Sequence, residues 1–174
     1  IVYIDTPGFH KPKNKLGERM MDSVSQGLSD VDVVMLVVEA QTKFKLNPED
    51  MPKAELALIE EIKNRRLKAI LCINKIDLLT DKSDLLEVIS AYQNLYEFDA
   101  IIPVSAETGD GVEALVDEQL KYAKESPHFF ADDEVTDQAD SVMVTELIRE
   151  KMLHLLDKEI PHGVAVGLER FFER

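Results

Sequence analysis

The chain has 174 residues, 45% hydrophobic and 31% charged, enough for one full core or for one domain and part of another. Its net charge of −14 argues against a wide surface that grips a phosphate backbone, and no DNA partner is expected. A single cysteine, Cys72, excludes a disulfide within the chain and fits a reducing compartment, while no apolar run reaches the length of a membrane span and no basic region precedes the first apolar residues as in a signal peptide.

Ile1-Val2-Tyr3-Ile4 is apolar and β-prone and reads as a strand, with Asp5-Thr6-Pro7-Gly8 at its end. By itself that tetrapeptide is an ordinary turn. A basic loop follows, His10-Lys11-Pro12-Lys13-Asn14-Lys15, in which His10, Lys11 and Lys13 could touch phosphate or RNA or simply stand in solvent. Leu16, Met20, Val24 and Leu28 recur at helical spacing, so residues 15–29 read as an amphipathic helix. Val33 to Val38 reads as a strand buried on both faces, as in a parallel sheet, with an acidic end at Glu39. Gln41 to Pro52 is a polar connection. Leu56, Ile59 and Ile62 mark the next helix, and Lys63, Arg65 and Arg66 complement the dipole at its end.

Ala69 to Ile73 is the central strand, apolar throughout, with Cys72 as a core residue, and it stops abruptly at Asn74-Lys75-Ile76-Asp77. Ligands of open α/β sheets bind beyond the carboxyl ends of the strands. A carboxylate at Asp77 can accept both the ring N–H and the exocyclic amine of guanine, a pair of donors that adenine lacks. Asn74 can hydrogen-bond the other edge and brace the loop, and the stem of Lys75 can lie along base or sugar. A strand followed by a polar turn is the plain alternative. Leu85, Ile89, Tyr92 and Tyr96 outline another helix, and Ala100 to Val104 a strand ending in Ser105-Ala106-Glu107-Thr108-Gly109. Val112, Val116, Leu120 and Ala123 give a further helix. Four strand–helix alternations predict an α/β fold with a doubly wound, mostly parallel sheet.

The pattern breaks near Glu125, where Ser126-Pro127-His128 and Ala131-Asp132-Asp133-Glu134 form a charged linker. A helix with Val144, Ile148, Met152 and Leu155 on one face follows, then a turn at Ile160-Pro161-His162-Gly163 and a weakly alternating strand from Val164 to Phe172. About thirty residues cannot bury a core of their own, so they read as the opening of a second domain. The expected organisation is a nucleotide domain over 1–124, a linker over 125–140 and a partial second domain over 141–174. His128, His154 and His162 share no metal-ligand spacing, and the methionines and aromatics fall at packing positions.

Asp5-Thr6-Pro7-Gly8, Asn74-Lys75-x-Asp77 and Ser105-Ala106, in order at strand ends, resemble the D-x-x-G, N-K-x-D and S-A motifs of P-loop GTPases. The resemblance implies GTP/GDP and Mg2+ as ligands. It makes Asp5 the carboxylate that holds Mg2+ through water and Gly8 the γ-phosphate sensor, the two residues nearest the catalysis, with Thr6 and Pro7 between them in the nucleotide site. It assigns Asn74, Lys75 and Asp77 to the base, supported by Ser105 and by the N–H of Ala106. The run Asp5 to Pro12 with Leu16-Gly17 resembles the Era family of ribosome-assembly GTPases. So do Val135-Thr136-Asp137, Glu146 to Lys151 and Glu159 to Val166, similar to the start of that family's KH-type RNA-binding domain. This likeness implies slow GTP hydrolysis and a cytoplasmic protein that binds small-subunit ribosomal RNA. Peripheral association with the inner face of the cell membrane is a further implication.

The phosphate-cradling G-x-x-x-x-G-K-[ST] sequence does not occur, nor does the G-x-x-G loop with which a KH domain clamps RNA. In the family the first would precede Ile1 and the second follow Arg174. The expectation is therefore an internal fragment of a longer protein, a P-loop GTPase-like domain truncated at its N-terminus and followed by the start of an α+β KH-type domain, and inactive alone. Phe9 stands where Ras-like enzymes place a water-orienting glutamine, and cannot orient water. Residues 140–174 hold five basic and seven acidic side chains, so they are expected to act as scaffold and not as RNA contact. Two rival readings are a degenerate GTPase-like interaction module without hydrolysis, and a tRNA-modification or translation-factor GTPase lacking a KH domain, which the tail disfavours.

Overall fold

Ala69–Asn74 sets the frame: five consecutive residues, from Ala69 to Ile73, are at most 2% exposed, as in a strand covered on both faces. In the computed structural model, which describes residues 1–5, 31–40, 51–129, 131, 136, 138–155 and 166–168, it is the middle strand of a parallel sheet. The order is β1 (Val34–Glu39), β2 (Ala69–Asn74) and β3 (Ala100–Pro103). Helices α1 (Lys53–Arg65), α2 (Lys82–Gln93) and α3 (Val112–Leu120) connect or follow the strands, and α4 (Asp140–Leu155) lies further along the chain. The chain separates into two units, Ile1–Glu125 and Ser126–Arg174.

Alternation of side chains along β2 sorts the first unit's core into two layers. Leu71 and Ile73 pack with Leu36 and Val38 of β1, Ile59 of α1 and Tyr92 of α2. Ile70 and Cys72 face the other way and pack with Val104 and with Leu115 of α3. Helices on both faces make the sheet doubly wound, as the alternation of elements predicted. Each fully buried aliphatic side chain here contributes about 1.5–3 kcal/mol.

The register places the strand ends together. Asp99 clamps the start of β2: its carboxylate accepts the N–H of Ala69 at 2.9 Å, and its own N–H donates to the Ala69 carbonyl, also at 2.9 Å. Ile70 then lies beside Ala100 and Ile73 beside Pro103, so β2 and β3 finish at the same level. On the other side Glu39 lies beside Asn74. Pro103, which has no N–H to give, sits at the last position of a sheet-edge strand, where one missing donor is tolerated.

Three sequence expectations change. Residues 1–5 form no strand and Ile1 to Ile4 are exposed, because β propensity needs a neighbour to complete its backbone hydrogen bonds and none of the three strands pairs with them. Strand β1 is buried on one face only: Met35 and Val37 are exposed, since the strand lies at the edge of the described sheet, and Gln119 of α3 reaches Met35 with its amide at 3.1 Å without burying it. Helix α3 buries Leu115 and Gln119, while Val112, Val116 and Leu120 are partly exposed. Its period was legible but its phase was not, because the turn at Gly111 fixes how the helix enters. The helix over 15–29 lies outside the described residues.

In the second unit, α4 begins at Asp140, with Thr145 returning its hydroxyl to the Ser141 carbonyl at 2.7 Å. Its apolar residues have the expected spacing, yet Ile148, Met152 and Leu155 are exposed. Residues 166–168 are irregular, and the rest of the predicted strand lies outside the described residues.

Candidate functional site

After β2 the chain must leave a buried strand and turn within two residues. Lys75 does this in the left-handed region, at φ 66 and ψ 35, which a non-glycine residue adopts only when its surroundings hold it there. Asn74 supplies the hold: its side-chain Oδ1 accepts the N–H of Lys75 at 2.8 Å. The carbonyl of Lys75 then accepts from Leu78 at 3.1 Å, closing a short 3-10 turn over Ile76–Leu78 that presents Asp77. The N–H of Ile76 reaches the Val104 carbonyl at 3.2 Å and that of Val104 the Ile73 carbonyl at 2.8 Å, so this turn is tied to the end of β3.

The second loop closes on itself. Ser105, 1% exposed, donates its N–H to the Asp110 carbonyl and accepts the N–H of Gly109 on its own carbonyl, each at 2.8 Å. Its hydroxyl donates to Asp77 Oδ1 at 2.5 Å and accepts the Thr108 N–H at 3.2 Å. Gly111, at φ 74, closes the loop so tightly against β3 that a Cβ there would lie 2.2 Å from the Pro103 carbonyl oxygen. Asp77 is thereby aimed by a buried serine while its carboxylate stays exposed. Its Oδ2 and the second lone pair of Oδ1 can still accept, so the carboxylate keeps the two acceptor sites that a pair of parallel donors needs.

Asn74 Oδ1 also accepts the N–H of Ala106, at 3.0 Å. The bracing expected of Asn74 is present, and its amide nitrogen is left for a ligand. The Ala106 N–H, which the resemblance assigns to the base oxygen, is engaged with Asn74 here, so a base would have to share or displace that bond. Lys75 extends its ammonium to Glu39 at the end of β1, both side chains being nearly half exposed. Thus Asn74, Lys75, Asp77, Ser105 and Ala106 come together at one end of the sheet. Asp5 is exposed, and Thr6, Pro7 and Gly8 lie outside the described residues. Among the described residues no cluster of His, Cys, Asp or Glu is arranged to hold a metal ion.

Three residues beside or behind the loops were given no role by the sequence, although Glu39 stood among its acidic strand-end signals. Glu39 was counted with the acidic and polar strand ends but without a partner, and Gly111 was one glycine of several. Glu55, at the start of α1, is met by the hydroxyl of buried Tyr92. Burial raises the Glu55 pKa, the Tyr92 hydrogen bond lowers it in part, and repulsion from Glu39 raises it again. Burial and the Glu55 contact push Tyr92 far upward as well. Burial alone raises the Cys72 thiol.

Comparison with known proteins agrees with this geometry. The sequence model of the elongation factor Tu GTP binding domain matches residues 1–125. The chain is 42% identical over 175 residues to GTPase Era of Ruminiclostridium cellulolyticum and 41% identical over 174 residues to GTPase Era of Clostridioides difficile. Both alignments cover 100% of this chain and 56% of the relative, so the chain spans about half the length of the curated relatives it matches. Its fold superposes with TM-score 0.69 on a crystal structure of an Aquifex aeolicus Era variant bound to GDP.AlF4−, at 32% identity over 90% of this chain and 51% of that one. A probable GTP-binding protein engB shares the fold at TM-score 0.56, with 22% identity over 68% of this chain and 75% of that one. With Asn74 to Asp77 and Ser105-Ala106 at the ends of parallel strands, the family model matched over its first 125 residues and Era-like sequence along its whole length, the chain belongs to the elongation factor Tu-type GTP-binding domain family.

Proposed function

We propose that this chain is the nucleotide-reading part, with the start of an RNA-binding part, of an Era-like switch that binds GTP and hydrolyses it to GDP and phosphate. The observation that carries this reading is the joint between the two loops: Ser105 fixes Asp77, and Asn74 holds both Lys75 and Ala106. A preorganised acceptor of two parallel donors discriminates guanine from adenine. Asn74 addresses the opposite edge with its amide and Lys75 covers the base or sugar. Asp5 and Gly8 act at the phosphate end. Bound Mg2+ would neutralise phosphate charge, and Asp5 would hold it through water.

The likeness of the tail to the opening of a KH-type domain supports the rest of the reading. In it, residues 1–124 bind nucleotide, 125–140 link, and 141–174 begin a module that binds small-subunit ribosomal RNA during ribosome assembly. With five basic and seven acidic side chains over 140–174, this segment serves as scaffold, and RNA is held by residues elsewhere in the full-length protein. The protein works in the cytoplasm, with peripheral membrane association as a further property.

The test is Asp77→Asn in the full-length protein. The amide replaces one acceptor with a donor, so GTP affinity should fall on the order of a hundredfold or more while xanthosine triphosphate, which carries an oxygen in place of the exocyclic amine, should gain. Competition titration reads both. An unchanged preference for GTP would remove Asp77 from the base-reading role.

A further inference from the structure

We propose that Glu39 is a positioning residue for the nucleotide base, holding the Lys75 side chain along the carboxyl edge of the sheet before nucleotide arrives. The proposal rests on the reading of Asn74, Lys75 and Asp77 as the base-contacting set. Register is the first support. Glu39 ends β1 beside Asn74, so its side chain leaves the sheet one residue from Lys75 on the same edge. The second support is the contact itself, an ion pair between Lys75 Nζ and Glu39 Oε1 across 36 residues of sequence.

The third is that Lys75 is held at its backbone as well. Its N–H is bound by Asn74 and its carbonyl by Leu78, at left-handed dihedrals that fix the direction of its Cα–Cβ bond. With the backbone and the ammonium both held, the methylene stem has fewer rotamers open to it than a free lysine. A free lysine samples many rotamers, and ordering it on binding would subtract from affinity.

An ion pair whose members are 47% and 45% exposed adds little to fold stability. A positioning role and a structural one thus separate experimentally. In the full-length protein, Glu39→Gln should leave the melting temperature unchanged, weaken GDP by about two- to fivefold, and speed acylation of Lys75 in nucleotide-free protein measured by mass spectrometry. Unchanged GDP affinity overturns the proposal whatever the acylation rate. So does a melting temperature that falls together with affinity. Asp77→Asn, run alongside, keeps the two readings apart. If it shifts base preference and Glu39→Gln changes nothing, only the role of Glu39 fails. If it leaves base preference unchanged, the base-reading assignment fails with it.

Discussion

Gly111 is where the backbone of the site is most sharply constrained, and replacing it by alanine tests that constraint. The residue caps the N-terminus of α3 at φ 74, a conformation that costs an L-residue about 1–2 kcal/mol. An added Cβ would also lie 2.2 Å from the Pro103 carbonyl oxygen and 3.2 Å from Pro103 C and Val104 Cα. All three are backbone atoms, so no rotamer change relieves the contact, and forced overpacking adds about 1–3 kcal/mol. Gly111→Ala should therefore destabilise by about 2–5 kcal/mol. Two residues earlier lies an internal control. Gly109 has φ 84 but open space within 4 Å of its virtual Cβ, so Gly109→Ala should cost only the dihedral strain. For a unit of this size the melting temperature should drop by roughly 8–20 °C for Gly111→Ala, against roughly 4–8 °C for Gly109→Ala. Thermal unfolding followed by circular dichroism reads the difference. Two variants that melt within about 2 °C of each other would refute the close-approach argument.

Other outcomes follow from burial. Glu55 titrates above its ordinary range, so the folded state binds its proton more tightly than the unfolded chain does. Its contribution to stability is then present below the ordinary glutamate pKa of about 4.3 and is lost as pH rises through the raised value. Urea unfolding across that window should show a decline that Glu55→Gln flattens, and an equal decline in the variant would assign it to other groups. Cys72 is 2% exposed and its thiol is held protonated by burial, so a disulfide reagent should label it only as β2 opens. Labelling should accelerate steeply in urea. Rapid labelling of the native protein would mean that the centre of the sheet opens far more readily than its packing implies.

Much of the molecule was legible in sequence because it is local. The unbroken apolar run Ala69 to Ile73 reads as a strand covered on both sides, which puts Asn74, Lys75 and Asp77 at its end. The helical spacings gave α1 and α2, with Ile59, Ile62 and Tyr92 inward. The likeness carried by Asp5 to Gly8, Asn74 to Asp77 and Ser105-Ala106 pointed to the family that the comparisons then showed.

What sequence left open depends on neighbours that no local pattern specifies. Apolar residues at Ile1 to Ile4 do not make a strand without a partner, and Met35 and Val37 do not become buried at a sheet edge. Nor does helical spacing fix the rotation of α3, which enters from Gly111 lodged against Pro103 and buries Leu115 and Gln119 in place of Val112 and Val116. Register decided the rest of the site. Because Glu39 ends level with Asn74, and Ile73 with Pro103, an acidic strand end reaches Lys75 and a serine 28 residues away aims Asp77. Sequence determines which residues carry donors and acceptors; only the pairing of strands brings them to one edge, since it alone fixes distances between residues far apart in the chain.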